Sequence, residues 1–302
     1  MATLAAPAPT AGRAVRTGRA TGFWRYLRRN PSLGVGLFLM LCLILLSTVG
    51  RLGIDRKKDP YPLAGPPSKP PSLKYPLGTD QQGRDLFAVM VVGTQLSMRA
   101  GLLAGSIGIV IATILGFVAA YYGGLIDAVI KWIVDVMLTI PQLLILIVIA
   151  STLKRYITVE SMALIIASLA WIGPTRTIRS QVLSLRERPF VLMARLSGMG
   201  GPEIIVKELM PNLLPFILYC FVQATYFAIL TAMGLEILGL GSQREPTLGM
   251  TLYHMQRHSA IIRGLWWWWL SPVGIIMMLV VGMTLVSLGL DEWANPRTRR
   301  AE

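Results

Sequence analysis

Long uncharged runs alternate with short polar segments along this chain. Residues 33–50, 100–126, 136–153, 209–235 and 264–290 carry no charge, and a weaker run, 157–172, is interrupted only by Glu160 near its start. About 20 apolar residues are needed for a helix to cross bilayer hydrocarbon, so the pattern predicts an all-α membrane protein with six transmembrane helices. The division that follows has a basic, disordered N-terminus (1–30), a first span (31–52) and an outer connection (53–96). A five-helix core occupies 97–292 and a basic tail 293–302. Within the connection lies KKDPYPLAGPPSKPPSLKYP, whose prolines favour extended chain over helix or sheet.

Composition narrows the class further. Of the 302 residues, 54% are hydrophobic and only 15% charged, and the mean hydropathy is +0.58, too apolar for an ordinary soluble domain. A net charge of +14 would suit nucleic acid, but its distribution speaks for a membrane surface and against that partner. Seven arginines precede the first acid, Asp55, and six of them precede the first apolar run. Arg186, Arg188, Arg195 and Lys207 fall in the segment 180–208, and Arg297, Arg299 and Arg300 in the tail. With six spans these clusters share one face, and the positive-inside rule makes it cytoplasmic, with both termini there.

Several chemistries find no support. No GxxxxGK[ST] phosphate loop occurs, so the chain is not expected to bind ATP by that device. His254 and His258 stand four apart in HMQRH, but Met255 replaces the glutamate of a metalloprotease helix; they read as interfacial histidines, and no metal site is expected. Cys42 and Cys220 lie inside apolar runs and read as small hydrophobes. A stand-alone membrane enzyme or a channel is the alternative class.

Some residues invite a role. Asp135 opens the third run, where an ion pair with Lys131 four residues earlier is one reading and a pathway role another. Pro141 predicts a kink in that span. GTDQQGRD, residues 78–85, reads as a tight turn in which Arg84 pairs with Asp80 or Asp85, and these three are candidates for contact with an outer partner. Trp266 to Trp269 suit an interfacial belt, with stacking on a sugar or aromatic substrate as the other reading.

The segment from Arg188 to Asn212 is the most unusual. Phe190, Val191, Leu192, Met193, Ala194 and Leu196 make about two turns of nearly all-apolar helix on a loop that should face water, and such a patch needs a cover. Gly198, Gly200 and Gly201 then break the helix, and Pro202 suits the first turn of an amphipathic one feeding the next span. The loop either folds back on the protein's own helix ends or docks a partner.

ARLSG followed by GPEIIVKELMPNLLP resembles the EAA loop of ATP-binding-cassette importer permeases, with Ala194 at the last alanine, Gly198 at the glycine and Pro211–Asn212 at its end. PLGTDQQGRDLF and AYYGGLIDAVIKWIVDVMLTIPQLLI are similar to the C-type subunit of dipeptide and oligopeptide permeases, as are ILGLG at 237–241 and SLGLDEWANPR near the end. The resemblance covers roughly residues 20–297. It implies a type I importer fold in a bacterial or archaeal cytoplasmic membrane. It also implies a second permease subunit completing a heterodimer, two ATPase subunits that bind the ATP, and an extracytoplasmic solute-binding protein. This chain would hold no cofactor and no catalytic residue.

The EAA loop, about 186–212, would present Phe190, Leu192, Met193, Ala194, Leu196, Gly198, Met199 and Gly200 to an ATPase groove. Leu192 and Met193 stand where the family usually has Glu and Ala, which implies a more hydrophobic contact. Related subunits usually carry a glutamate at the position of Ala232. Glu236, one turn further on, either takes its gating role or is an exposed carboxylate at the outer helix end. The implied cargo is a di- or oligopeptide, with an oligosaccharide of cello-oligomer type, nickel complexes or opines as alternatives.

Overall fold

The computed structural model describes residues 27, 30–55, 58–153 and 157–294; the expected disordered N-terminus and the tail arginines lie outside the described residues. Among those described there are ten principal helices and no strand, only one isolated bridge between Thr79 and Asp85. Helix α1 (Pro31–Val49) starts on a proline, whose missing N–H has no partner to lose at a helix start, and runs into a 3₁₀ turn at Gly50–Gly53. α2 (Leu86–Tyr122) follows the Pro-rich connection. It begins well before residue 100, where the charge-free run opens, so the connection is shorter than the sequence suggests. The Asp85 side chain caps it, accepting from Phe87 N–H at 2.9 Å, and Arg99 rides on the helix flank in an ion pair with Glu160 at 2.9 Å. A charge on a helix flank need not end a span.

The third and fourth spans are each broken. α3 (Gly124–Thr139) and α4 (Gln142–Leu153) meet at 80° across Ile140–Pro141, and α5 (Val159–Ala170) and α6 (Ile172–Arg186) meet at 42°. Both are longer than their charge-free cores, because α3 carries Asp127, Lys131 and Asp135 and α6 carries Arg176, Arg179 and Arg186. Asp127 and Arg179 satisfy each other in a two-pronged pair, Nε to Oδ1 at 2.5 Å and Nη2 to Oδ2 at 2.6 Å, the strong geometry for a guanidinium and a carboxylate.

The short helix α7 (Pro189–Leu196) precedes α8 (Gly201–Ile237), then come α9 (Leu248–Arg257) and α10 (Trp266–Ala294). α8 loosens to a π-turn at Ile205–Leu209, where Met210 N–H reaches Ile205 carbonyl, just before Pro211 and Pro215 deny the next turns two donors. Four helices are each long and apolar enough to span a bilayer, and the bent pairs make six if each counts as one span.

α2 is the hub: it packs along α8, α5 and α6, while α1 lies mainly on α10. Gly101 and Gly105, four apart, let α2 and α8 approach closely, in the small-residue manner of membrane helices. A Cβ on Gly105 would stand 2.5 Å from Thr225 Oγ1 and 2.8 Å from Thr225 Cα. Gly105→Val is therefore expected to force the hub apart and cost several kcal/mol; thermal unfolding of the detergent-solubilised protein would show a marked fall in Tm or no folded yield.

Candidate functional site

The helix α7 stands on an apolar base. Val191 is fully buried and Ala194 nearly so, packed in one cluster with Phe117, Val182, Ile204 and Leu209 of α2, α6 and α8. Around that base Leu192, Met193 and Leu196 are 57%, 62% and 74% exposed, with Phe190 beside them at 36%. Ala194 is thus a foot of the helix and not part of the docking face, a correction to the sequence reading. The reason is period: 191 and 194 share the inner stripe, three apart. Met199 is half-buried against the same cluster.

Gly198 ends α7 with φ +82°, a conformation glycine adopts without penalty. Gly200 has open space around it, so only Gly198 needs to be glycine for backbone reasons. Arg195 lies over the Tyr121 ring at 5.4 Å, and Lys207 pairs with Glu203 at 2.6 Å. Pro211 and Asn212 are exposed, and Asn212 Nδ2 donates to Glu208 carbonyl at 2.6 Å.

Asp135 makes no ion pair with Lys131. It lines a small cavity of about 160 Å³ with Lys131, Arg176 and Arg179. The bent geometry brings Arg176 and Arg179 of α6 to the same cavity. The pair that does form, Asp127 with Arg179, has no mark in the sequence, because its partners are 52 residues apart.

The connection between α1 and α2 is built around Asp80. Its carboxylate accepts from the amides of Gln82 and Arg84 at 2.8 and 2.9 Å and from Arg84 Nε at 2.5 Å. Asp80, Arg84 and Asp85 are 0%, 4% and 8% exposed, so they hold the turn from inside and cannot be the outer contact surface expected of them. The tryptophans divide: Trp266 is half-exposed as in a belt, Trp267 Nε1 donates to Thr79 carbonyl at 3.2 Å, and Trp268 is fully buried against Leu86, Ala260 and Leu265. Trp267 and Trp268 pin the connection to α10, so neither reading of the four as a single belt or a stacking platform holds for that pair.

His258 stacks on Trp268 with ring centres 6.1 Å apart, and His254 on His258 at 6.5 Å. Among the described residues no group of three His, Cys, Asp or Glu gathers as a metal site. Burial, and then the positive charges of Arg84, His258 and Arg257, push the His254 imidazole down to about 4.

Glu236 is 5% exposed, which overturns the reading of an exposed carboxylate at the helix end. It packs against Gly241 and Gly249, where a Cβ on Gly249 would meet its Oε2. Thr247 and the amides of Gly249 and Met250, which open α9, stand nearest its carboxyl group.

A larger cavity, about 640 Å³, lies where the two breaks face α8. Ile140, Pro141 and Gln142 border it from one break, Ala170, Gly173 and Pro174 from the other. Tyr219, Gln223, Phe227 and Thr231 line it from α8 at four-residue spacing, a stripe visible in the sequence and not singled out there.

A bundle of spans with an exposed apolar helix on a basic loop and a cleft between broken helices is the build of a transport subunit. The sequence pattern of the family described as binding-protein-dependent transport system inner membrane component matches residues 108–300. A dipeptide transport system permease protein DppC of Alkalihalophilus pseudofirmus is 33% identical over 282 residues, covering 91% of this chain and 89% of its own. An oligopeptide transport system permease protein OppC of Mycobacterium tuberculosis is 30% identical, covering 76% and 79%. A glutathione transport system permease protein GsiD of Pectobacterium atrosepticum is 28% identical, covering 92% and 91%. The chain belongs to the family of binding-protein-dependent transport system inner membrane components, and it is a multi-pass permease subunit.

Two outcomes test this connection and the helix α9 beside it. Asp80→Ala strands a buried Arg84 and should cost about 3–5 kcal/mol, read as a fall in Tm in detergent. The unfolded His254 imidazole takes a proton near 6.5 and the folded one only near 4, so the unfolded state holds more protons between those values. Stability is then full above pH 6.5 and is lost as pH falls toward 4. Unfolding at pH 7 and pH 5 should show a smaller acid loss in His254→Gln than in the wild type.

Proposed function

We propose that this permease forms half of a translocation pathway for di- and oligopeptides and transmits the work of ATP hydrolysis carried out by partner subunits. The observation that carries the reading is the exposed face of α7, with Leu192, Met193 and Leu196 open and Val191 and Ala194 rooted in the core. A rigidly footed apolar face on a basic loop is suited to seat in an ATPase groove and to pass its movement to α6 and α8. Each relative described above is named for peptide or glutathione transport, which supports peptide as the cargo.

In this reading a second permease completes the pathway, two ATPase subunits bind the nucleotide, and an extracytoplasmic binding protein delivers cargo. The chain itself holds no ATPase site and no cofactor. The arginines around α7 and at the two chain ends favour cytoplasmic termini. Glu236, buried beside the start of α9, is suited to hold the outer ends of α8 and α9 together through the cycle, and Pro141 to shape the pathway by its bend.

Leu192→Asp with Leu196→Asp places two charges on the docking face and leaves the buried foot intact. Affinity capture of the tagged double variant should lose the ATPase subunits, and uptake should fall at least tenfold, while its Tm stays within a few degrees of wild type. Retained ATPase subunits with normal uptake would sink the reading and favour a stand-alone membrane enzyme or channel.

A further inference from the structure

The cavity between the broken spans holds a pattern that the coupling mechanism leaves unused. Its wall includes Gln142, Thr177, Tyr219, Gln223 and Thr231 and no Asp, Glu, Lys, Arg or His. Polar groups at membrane depth are costly, and non-helical backbone is tolerated there only where it is buried in protein or lines a cavity. Both breaks do the latter. Ile140 is extended at φ −90°, ψ 128° beside Pro141, and Pro174, with no N–H, leaves the Ala170 carbonyl without its helical donor. Discontinuous helices meeting at a cavity are how membrane transporters present backbone groups to cargo. The volume, about 640 Å³, falls within the roughly 300–1,000 Å³ of small-ligand sites.

Resting on the peptide-import reading, we propose that this cavity is a cargo-contacting section of the pathway. Gln223 and Tyr219 on α8, and Gln142 across the break, hydrogen-bond the amide backbone that all peptides share. The amide side chain of glutamine both donates and accepts, so it pairs with peptide N–H and C=O alike. Phe216 and Phe227 in the same wall accept apolar side chains. Because the wall carries no charge, it neither attracts nor repels a cargo side chain by sign. This subunit therefore passes acidic, neutral and basic peptides alike, and the charge tolerance is a built property of the stripe on α8.

The test uses the complete transporter, both permeases with the ATPase subunits and the binding protein, in proteoliposomes. Uptake of radiolabelled Ala–Ala, Ala–Glu and Ala–Lys is measured for wild type, Gln223→Glu and Gln142→Glu. Each variant's rate is divided by the wild-type rate for the same peptide, which cancels the preference of the binding protein. A negative charge in the wall should place the Ala–Glu ratio at least tenfold below the Ala–Lys ratio, with Ala–Ala between them, in at least one of the two variants. Equal ratios for the three peptides in both variants, whether near one or near zero, would overturn the proposal and leave peptide import standing. A wild-type complex that hydrolyses ATP but accumulates none of the three would overturn the peptide reading itself, and this proposal with it.

Discussion

Inside a bilayer no water is available to satisfy a free N–H or C=O, so every backbone group in this protein must find its partner within the chain. That constraint makes the protein helical and makes each departure from helix informative. Where the chain breaks at Pro141 and near Trp171, the breaks border a cavity. Where α8 must accommodate Pro211, a π-turn shifts the ladder by one residue before the proline arrives. Helix–helix contact then rests on packing, since lipid is as apolar as leucine, and the glycines of α2 let α8 come close enough for that packing to be dense.

The two ends of the bundle solve different problems. At one end a long connection without regular structure is held by one buried carboxylate, Asp80, by the Asp85 cap and by two tryptophans of α10. Thr79, Asp80, Arg84 and Asp85 look inward, while Lys69 and Lys74 stay exposed. On the face that bears α7, the order is reversed. Val191 and Ala194 are anchored and the larger apolar side chains look outward, the kind of exposed patch that marks an interaction site.

Between them the broken spans connect the faces. α6 carries the Arg179 pair to Asp127, and Arg186 donates to the Ala120 carbonyl at the end of α2, so α6 is joined to α3 and to the hub. Glu245, in the loop before α9, accepts from Val159 N–H at the head of α5 at 3.0 Å. These links tie the bent pairs to α2 at one end and to the α8–α9 junction at the other.

Five uncharged runs and a sixth broken only by Glu160, the arginine distribution and the grease of residues 190–196 were legible in the chain because burial in lipid and exposure to water leave opposite compositions. Those features by themselves determined the class, a helical multi-pass membrane protein, and marked the apolar segment that forms α7. They misjudged the span limits, since Arg99 pairs with Glu160 and Asp127 with Arg179 on helix flanks, where a charge need not end a span. They misassigned Ala194, Asp80, Arg84 and Asp85 because exposure is a property of neighbours distant in sequence. Only the tertiary structure decided that Asp127 and not Asp135 meets Arg179, that Glu236 is buried at the head of α9, and that the stripe from Tyr219 to Thr231 faces a cavity. Each of these depends on which helices are adjacent, and adjacency is set by packing of the whole bundle.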